Sequence, residues 1–328
     1  MSRLPASLKR NMTLLDVHCH VGVDPLLYLT KSFPYCNDLR HSREECIRVG
    51  ISHSVIFPWV TSVYYHLPSL RKGKVKLERK IGDAPFHFEN EQMLEQLYEI
   101  FPSYKDMFIP FPILDTLRET RQQVRVLDRM LRKHPFYGLK VHPRATQAHV
   151  LTLRREGRVF LDFAKANNFP ILIHATPASY DPLSQVADIL QLARENPKVR
   201  FCAAHFCGFH QKLFEEADRM DNVWVDSGAM SIGCDLVVQK SNVYISGKEK
   251  VPSDYRKPAK VFAELSRRFP DTFMWGTDNP AHTWVSAAAG PRLELWGSME
   301  REKALLDEVR GRLRKKVAFE NALAFIEG

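Results

Sequence analysis

Short apolar runs punctuate this chain at intervals, and polar segments with helical spacing fill the gaps between them. Eight runs read as strands: TLLDVHCH (13–20), HSVIFPW (53–59), MFIPFPIL (107–114), FYGLKVH (136–142), PILIHA (170–175), VRFCAAHF (199–206), VWVDSGA (223–229) and FMWGTD (273–278). Most are continuous rather than alternating, the pattern of strands covered on both faces. Between them, Ser42 and Glu45 read as a capping box for a helix that Gly50 stops. Met93, Leu94, Leu97 and Ile100 share a face over 91–100, as Val124, Leu127 and Leu131 do over 117–131. Asp181-Pro182 reads as a helix N-cap and first helical residue. Further helices are expected over 159–166, 210–220, 259–269 and 301–317.

Eight strand–helix alternations without a break predict an α/β chain folded as a single (β/α)8 TIM barrel, one domain over 1–328. An open doubly wound sheet would carry a Gly-rich phosphate loop after its first strand, and HCHVGVDP is not one. Two connections are long, 60–90 after the second strand and 230–257 after the seventh. Both leave C-terminal strand ends, so both are expected to overhang a site gathered there.

Composition changes this picture little. No stretch of eighteen apolar residues suggests a membrane span, and no apolar segment precedes the first strand as a secretory signal would. The six cysteines have no CxxC spacing, which fits a reduced, cytoplasmic chain; Cys19 and Cys202 read as small buried hydrophobes. Lys and Arg total 47 against 38 Asp and Glu, a net charge of +9, concentrated in RKGKVKLERK (71–80) and RGRLRKK (310–316). Aromatic residues are not interleaved with these runs, so solvated faces are the preferred reading over a nucleic-acid surface. An anionic small-molecule partner remains the sharper alternative, and a homodimer is open.

The chemistry sits at the ends of the apolar runs. His18 and His20 close the first, two apart, on one face of a strand and roughly 7 Å apart at Cα. His174 closes the fifth, His205 the sixth and Asp278 the eighth. Ligands scattered over strand ends mark a barrel that gathers its site at one rim. His18, His20, His174 and Asp278 are expected to hold an ion, with Asp278 doubling as general base. His205 is expected to be an acid/base group, or a ligand if two ions bind. Lys140 and His142 share the inward face of the fourth strand. Lys140 has three readings: carboxylated and bridging two metals, facing a substrate carboxylate, or paired with a protein carboxylate. His142 and Arg144 suit an anionic substrate, and Trp59, Tyr180 and Trp284 suit a pocket wall. Imidazole and carboxylate donors without thiolate suit Zn2+, with Mn2+ or Fe2+ as alternatives, one ion or two.

These residues resemble the amidohydrolase superfamily, in its amidohydrolase-related branch of hydrolases, lactonases and decarboxylases. DVHCHVG is similar to that branch's opening motif, GLKVHP to its fourth-strand motif, ILIHA to its fifth, WGTDNP to its eighth-strand aspartate and FENALAF (319–325) to its terminal helix. The resemblance implies one metal on His18, His20, His174 and Asp278, with His205 catalytic or on a second metal. It implies a metal-activated water attacking a C–N or C–O bond of an amide, ester or lactone. A non-oxidative decarboxylase of aromatic or muconate-like acids is the alternative. Decarboxylase members tend to lack the fourth-strand lysine, so Lys140 weighs toward hydrolysis. An inactive barrel serving as a binding module is the third reading, and the intact ligand set weighs against it.

Overall fold

A computed structural model describes residues 4–241, 249–286 and 293–328. All eight expected strands are present: β1 (Leu15–Val23), β2 (His53–Pro58), β3 (Phe108–Pro110, continued at Ile113–Leu114), β4 (Leu139–Val141), β5 (Ile171–Ile173), β6 (Phe201–Ala203), β7 (Val223–Asp226) and β8 (Phe273–Met274). The ladders between consecutive strands are parallel in two arcs, β1–β2–β3 and β3–β4–β5–β6–β7–β8, which meet where Phe111-Pro112 interrupts β3. The other seam, between β1 and the segment after β8, is sewn by single bonds. Val17 N–H donates to Trp275 O, Asp278 N–H to His18 O at 2.8 Å and His20 N–H to Asn279 O at 2.7 Å.

Two apolar layers follow from the strand alternation. Leu15, Val17, Val55, Phe57, Ile109, Phe111, Leu172, Cys202 and Met274 fill the interior together with Phe325 and Ile326 of the terminal helix. Leu139, Val141, Ile171, Ile173, Phe201, Val223 and Val225 face the outer helices. Burying such side chains is worth about 1.5–3 kcal/mol each. Leu4, Leu8 and Met12 join Phe325 under the strand N-termini, so that end of the barrel is plugged and chemistry is confined to the other.

The outer helices are α1 (Leu39–Val49), α2 (His87–Glu95), α3 (Thr120–Lys133), α4 (Arg158–Asn167), α5 (Val186–Glu195), α6 (Gln211–Asp218), α7 (Pro258–Arg268) and α8 (Asn321–Glu327). Three local expectations are corrected. The first helix starts earlier, because Asp38 accepts from His41 N–H as its cap; Ser42 and Glu45 lie inside it, Glu45 paired with Arg48. Asp181 caps a turn by accepting from Leu183 N–H, and α5 begins only at Val186. The expected helix over 301–317 is broken: Val309 and Arg310 are extended between a segment at Met299–Ala304 and one at Gly311–Lys315.

The connection after β2 is long as expected and carries one short helix, Leu67–Leu70. That after β7 contains a helix at Met230–Val238, and its residues 242–248 lie outside the described ones. A small sheet of Ser32–Phe33, Trp284–Ser286 and Leu293–Leu295 was not expected from the sequence. No described helix is long and apolar enough to cross a membrane. The six cysteines are unpaired.

Candidate metal centre

The first strand is irregular where it matters. Asp16 pairs with Ser54 and Cys19 with Ile56, so β1 spends one residue more than β2 over this stretch. A bulge of this kind re-aims side chains. Val17 and His18 both face inward as a result, and His18 and His20 emerge together on the interior face above Phe57. Behind them Asp16 braces the seam, accepting from His18 N–H at 3.0 Å, Thr277 N–H at 2.9 Å and Thr277 Oγ1 at 2.6 Å. Burial pushes its carboxyl up to about 7, against those donors.

His18 Nε2 lies 3.2 Å and His20 Nε2 3.4 Å from Asp278 Oδ1. The three ligand atoms fall within 4.8 Å of one another, on buried residues. The protons can be assigned from partners that only accept. His18 Nδ1 meets Asp226 Oδ2 at 2.9 Å and His20 Nδ1 meets Pro58 O at 3.3 Å, so both carry their hydrogen on Nδ1. Burial, then the Lys140 charge, pulls His18 down to about 4; burial also lowers His20. Both rings are therefore neutral, with a lone pair on Nε2. Asp278 Oδ1 is buried and accepts no hydrogen bond among the described residues. Burial alone would raise this carboxyl, but His18, His20 and His205 hold it far below the ordinary range.

Two imidazole lone pairs and a carboxylate oxygen converge with no hydrogen of their own between them, a set that could hold a cation; Lys140 Nζ, 3.1 Å from His18 Nε2, is the donor beside it. Ligands about 2.0–2.1 Å from a tetrahedral ion sit about 3.3 Å apart, and the two separations here bracket that value. The donor set fits a metal.

Across the barrel mouth the rings hold one another. His174 Nδ1 is 2.8 Å from His205 Nε2, and His205 Nδ1 is 3.0 Å from Gly228 O. The carbonyl requires a hydrogen on His205 Nδ1, and with His174 donating from Nδ1 their shared bond is accepted at His205 Nε2. His142 stacks on His174 with centroids 3.9 Å apart and caps a short helix by accepting from Ala145 N–H at Nδ1. His205 and Asp278 both follow their strands in the left-handed region, at φ 65° and 60°. Such backbone is uncommon for residues other than glycine and turns each side chain back over the rim.

Lys140 is fully buried, its Nζ 3.1 Å from His18 Nε2 and 4.2 Å from the centre of the Phe57 ring. Burial lowers its ammonium to about 8, with Asp278 and Asp226 opposing. It forms no close ion pair with a described carboxylate, which removes support from the third of its readings. Trp59, 2% exposed, stacks on His20 with centroids 5.1 Å apart. Arg144 lies 4.6 Å over the ring of Tyr180, which is 39% exposed. Trp284 is half-buried on the small accessory sheet and packs against the outer core.

Asp226 was not singled out from the sequence. It accepts from His18 Nδ1, from His205 N–H at 3.0 Å and from Gly228 N–H at 2.9 Å, tying the two histidine groups together. Burial pushes its carboxyl up, and His18 and His205 more than reverse that. Its one sequence signal was a lone acid closing an apolar strand, as Asp278 nearly does. A Cβ on Gly228 would lie 3.0 Å from His18 Nδ1 and 3.1 Å from Asp226 Oδ1, so a larger residue there would press on this pair.

A family profile described as Amidohydrolase matches residues 81–326, most of the chain. No curated protein matches the sequence. Among solved structures, 5-carboxyvanillate decarboxylase from Sphingomonas paucimobilis is similar over 96% of this chain and 99% of its own, with a TM-score of 0.59 and 10% identity. 2,6-Dihydroxybenzoate decarboxylase from Rhizobium is similar over 96% and 98%, with 0.58 and 12%. A Pseudomonas putida protein put forward as a 2-pyrone-4,6-dicarboxylic acid hydrolase is similar over 96% and 98%, with 0.56 and 16%. At these identities the likeness concerns the fold.

Proposed function

This chain belongs to the amidohydrolase family, and on that premise we propose that it is a metal-dependent hydrolase acting on a C–N or C–O bond of a small anionic substrate. The observation that carries the reading is the convergence of His18 Nε2, His20 Nε2 and Asp278 Oδ1 with no hydrogen between them. In this reading these three hold the ion and His174 supplies a fourth donor through Nε2, since its Nδ1 hydrogen is committed to His205. Zn2+ suits the set best, with Mn2+ and Fe2+ as alternatives. Such an ion polarises a carbonyl and makes water acidic enough to attack near neutral pH.

The chain's own groups do the rest. Asp278, ionised and without a donor, takes the proton of the attacking water. His205 acts through His174, keeping it in the tautomer that leaves Nε2 unprotonated. Asp226 does the same for His18. Arg144 and His142 hold the anionic end of the substrate, Tyr180 and Trp59 wall the pocket, and Trp284 supports it from the accessory sheet. Lys140 has to be neutral, or carboxylated, while an ion sits on His18 Nε2, because an ammonium there repels a dication.

The aromatic rings beside the cations favour a second reading, non-oxidative decarboxylation of an aromatic or muconate-like acid. In that case Trp59 and Tyr180 flank the ring and Arg144 its carboxylate. One assay separates the two. Metal-loaded protein is offered lactones, esters and amides bearing a carboxylate, and separately benzoate-type acids with CO2 release recorded. Hydrolysis that disappears with chelation and returns with metal supports the first reading; CO2 release without hydrolysis replaces it with the second. Failure to retain any metal ends both.

A further inference from the structure

The basic run 71–80 plays no part in the chemistry above, yet the fold gives it a definite place. An open cleft of about 660 Å3 lies on the outer rim, between the connection after β2 and the first turns of α3 and α4. That is the size of a small-molecule site. None of its lining residues belongs to the histidine centre. Arg79, Arg121, Arg125 and Arg155 line it together with three acids. Two of the acids are already neutralised: Asp83 by Arg129 at 2.5 Å, and Glu119 by Arg79 and the Tyr64 hydroxyl. Among the described residues, Arg125 hydrogen-bonds the neutral Gln122 amide and makes no ion pair, and Arg121 and Arg155 are exposed without one. Three guanidinium charges thus face Glu156 alone.

Arg79 is the member of the basic run 71–80, a tab on the connection after β2, that lines the cleft. Arg71, Lys72, Lys74 and Lys76 are exposed and form no ion pair among the described residues. The tip at Gly73 rests near Gln147 Oε1, in the connection after β4. Tyr65 OH donates to Asp115 Oδ2 at 2.6 Å, and Arg118 bridges Asp115 to Thr146 O, which holds the tab in position. Concentrated like charge is repulsive unless a counter-charge relieves it.

We propose that this cleft binds a phosphate-bearing small molecule, gripped by Arg121, Arg125 and Arg155. Three planar forks exceed what the two oxygens of a carboxylate can engage, whereas a phosphoryl group offers three oxygens and a second charge. The site is separate in its residues from the metal centre and does not depend on the hydrolase reading.

The test is calorimetric titration of the metal-loaded protein with inorganic phosphate, with benzoate in parallel, on wild type and on R121Q/R155Q. Both arginines are exposed, so the variant keeps its fold. Saturable one-to-one phosphate binding is expected, on the order of ten- to hundredfold weaker in the variant, with metal affinity unchanged by phosphate. Equal affinity in R121Q/R155Q, no saturable binding, or competition between phosphate and metal would each overturn the proposal. Benzoate binding as tightly as phosphate would overturn the phosphate assignment.

Discussion

Two groups of histidines face each other across the barrel mouth, and they are held in different ways. In the group on β1, His18 and His20 each give their Nδ1 hydrogen to a fixed acceptor, Asp226 and Pro58 O, and the backbone beneath is stitched to the segment after β8. In the group on β4 to β6, His174 donates to His205 and His142 lies flat on His174, so the rings brace one another. Acceptors outside the rings leave two lone pairs aimed at Asp278 before anything binds. On the proposed reading the first group is a preformed ion trap, while the second links its rings to one another and anchors them on Gly228 O and Ala145 N–H.

The comparison can be broken most sharply at Asp278. Asp278→Asn should leave the folded state intact by circular dichroism and lower turnover by about 10²–10⁴-fold, the range for a general base. Unchanged turnover would remove Asp278 from proton transfer.

Next comes the brace on the trap. Asp226→Asn should weaken metal affinity by about 10–100-fold, the usual cost of losing an outer partner of a ligating imidazole. His205→Gln should weaken it less, because His142 still supports His174. Direct metal titration of both variants checks the order, and a larger loss in His205→Gln would reverse the contrast drawn above.

A smaller, pH-dependent effect belongs to Lys140. Its ammonium is lowered to about 8, so below that pH the charged form predominates and opposes an ion on His18 Nε2. Metal affinity should therefore rise with pH up to about 8, by at most roughly tenfold per unit, and level off above it. His18, lowered to about 4, contributes little to that slope above pH 5. Lys140→Met should flatten the profile; a slope that persists in the variant would place the titrating group elsewhere. Trp59→Phe should have the least effect, a few-fold change in KM with metal affinity kept, since the ring that stacks on His20 is retained.

The eight strands were legible because each is an apolar run buried on both faces, and the polar residues that converge at the rim were legible because they interrupt such runs at their C-terminal ends. The helix boundaries at Asp38, Gln185 and Val309 were not, because capping and turn residues compete locally and the packed structure selects among them. Asp226 escaped notice because a single buried acid has no spacing partner in the chain. Its partners His18 and His205 belong to other strand ends, 208 and 21 residues away in the chain.

What the sequence determined alone is the alternation of buried strands and amphipathic helices and the stock of donors at their ends, since both follow from local periodicity and residue type. What only the tertiary structure decided is where the lone pairs point. That depends on a bulge in β1, on left-handed backbone at His205 and Asp278, and on hydrogen-bond acceptors brought from distant strands. No local pattern encodes these, because each exists only once the barrel closes.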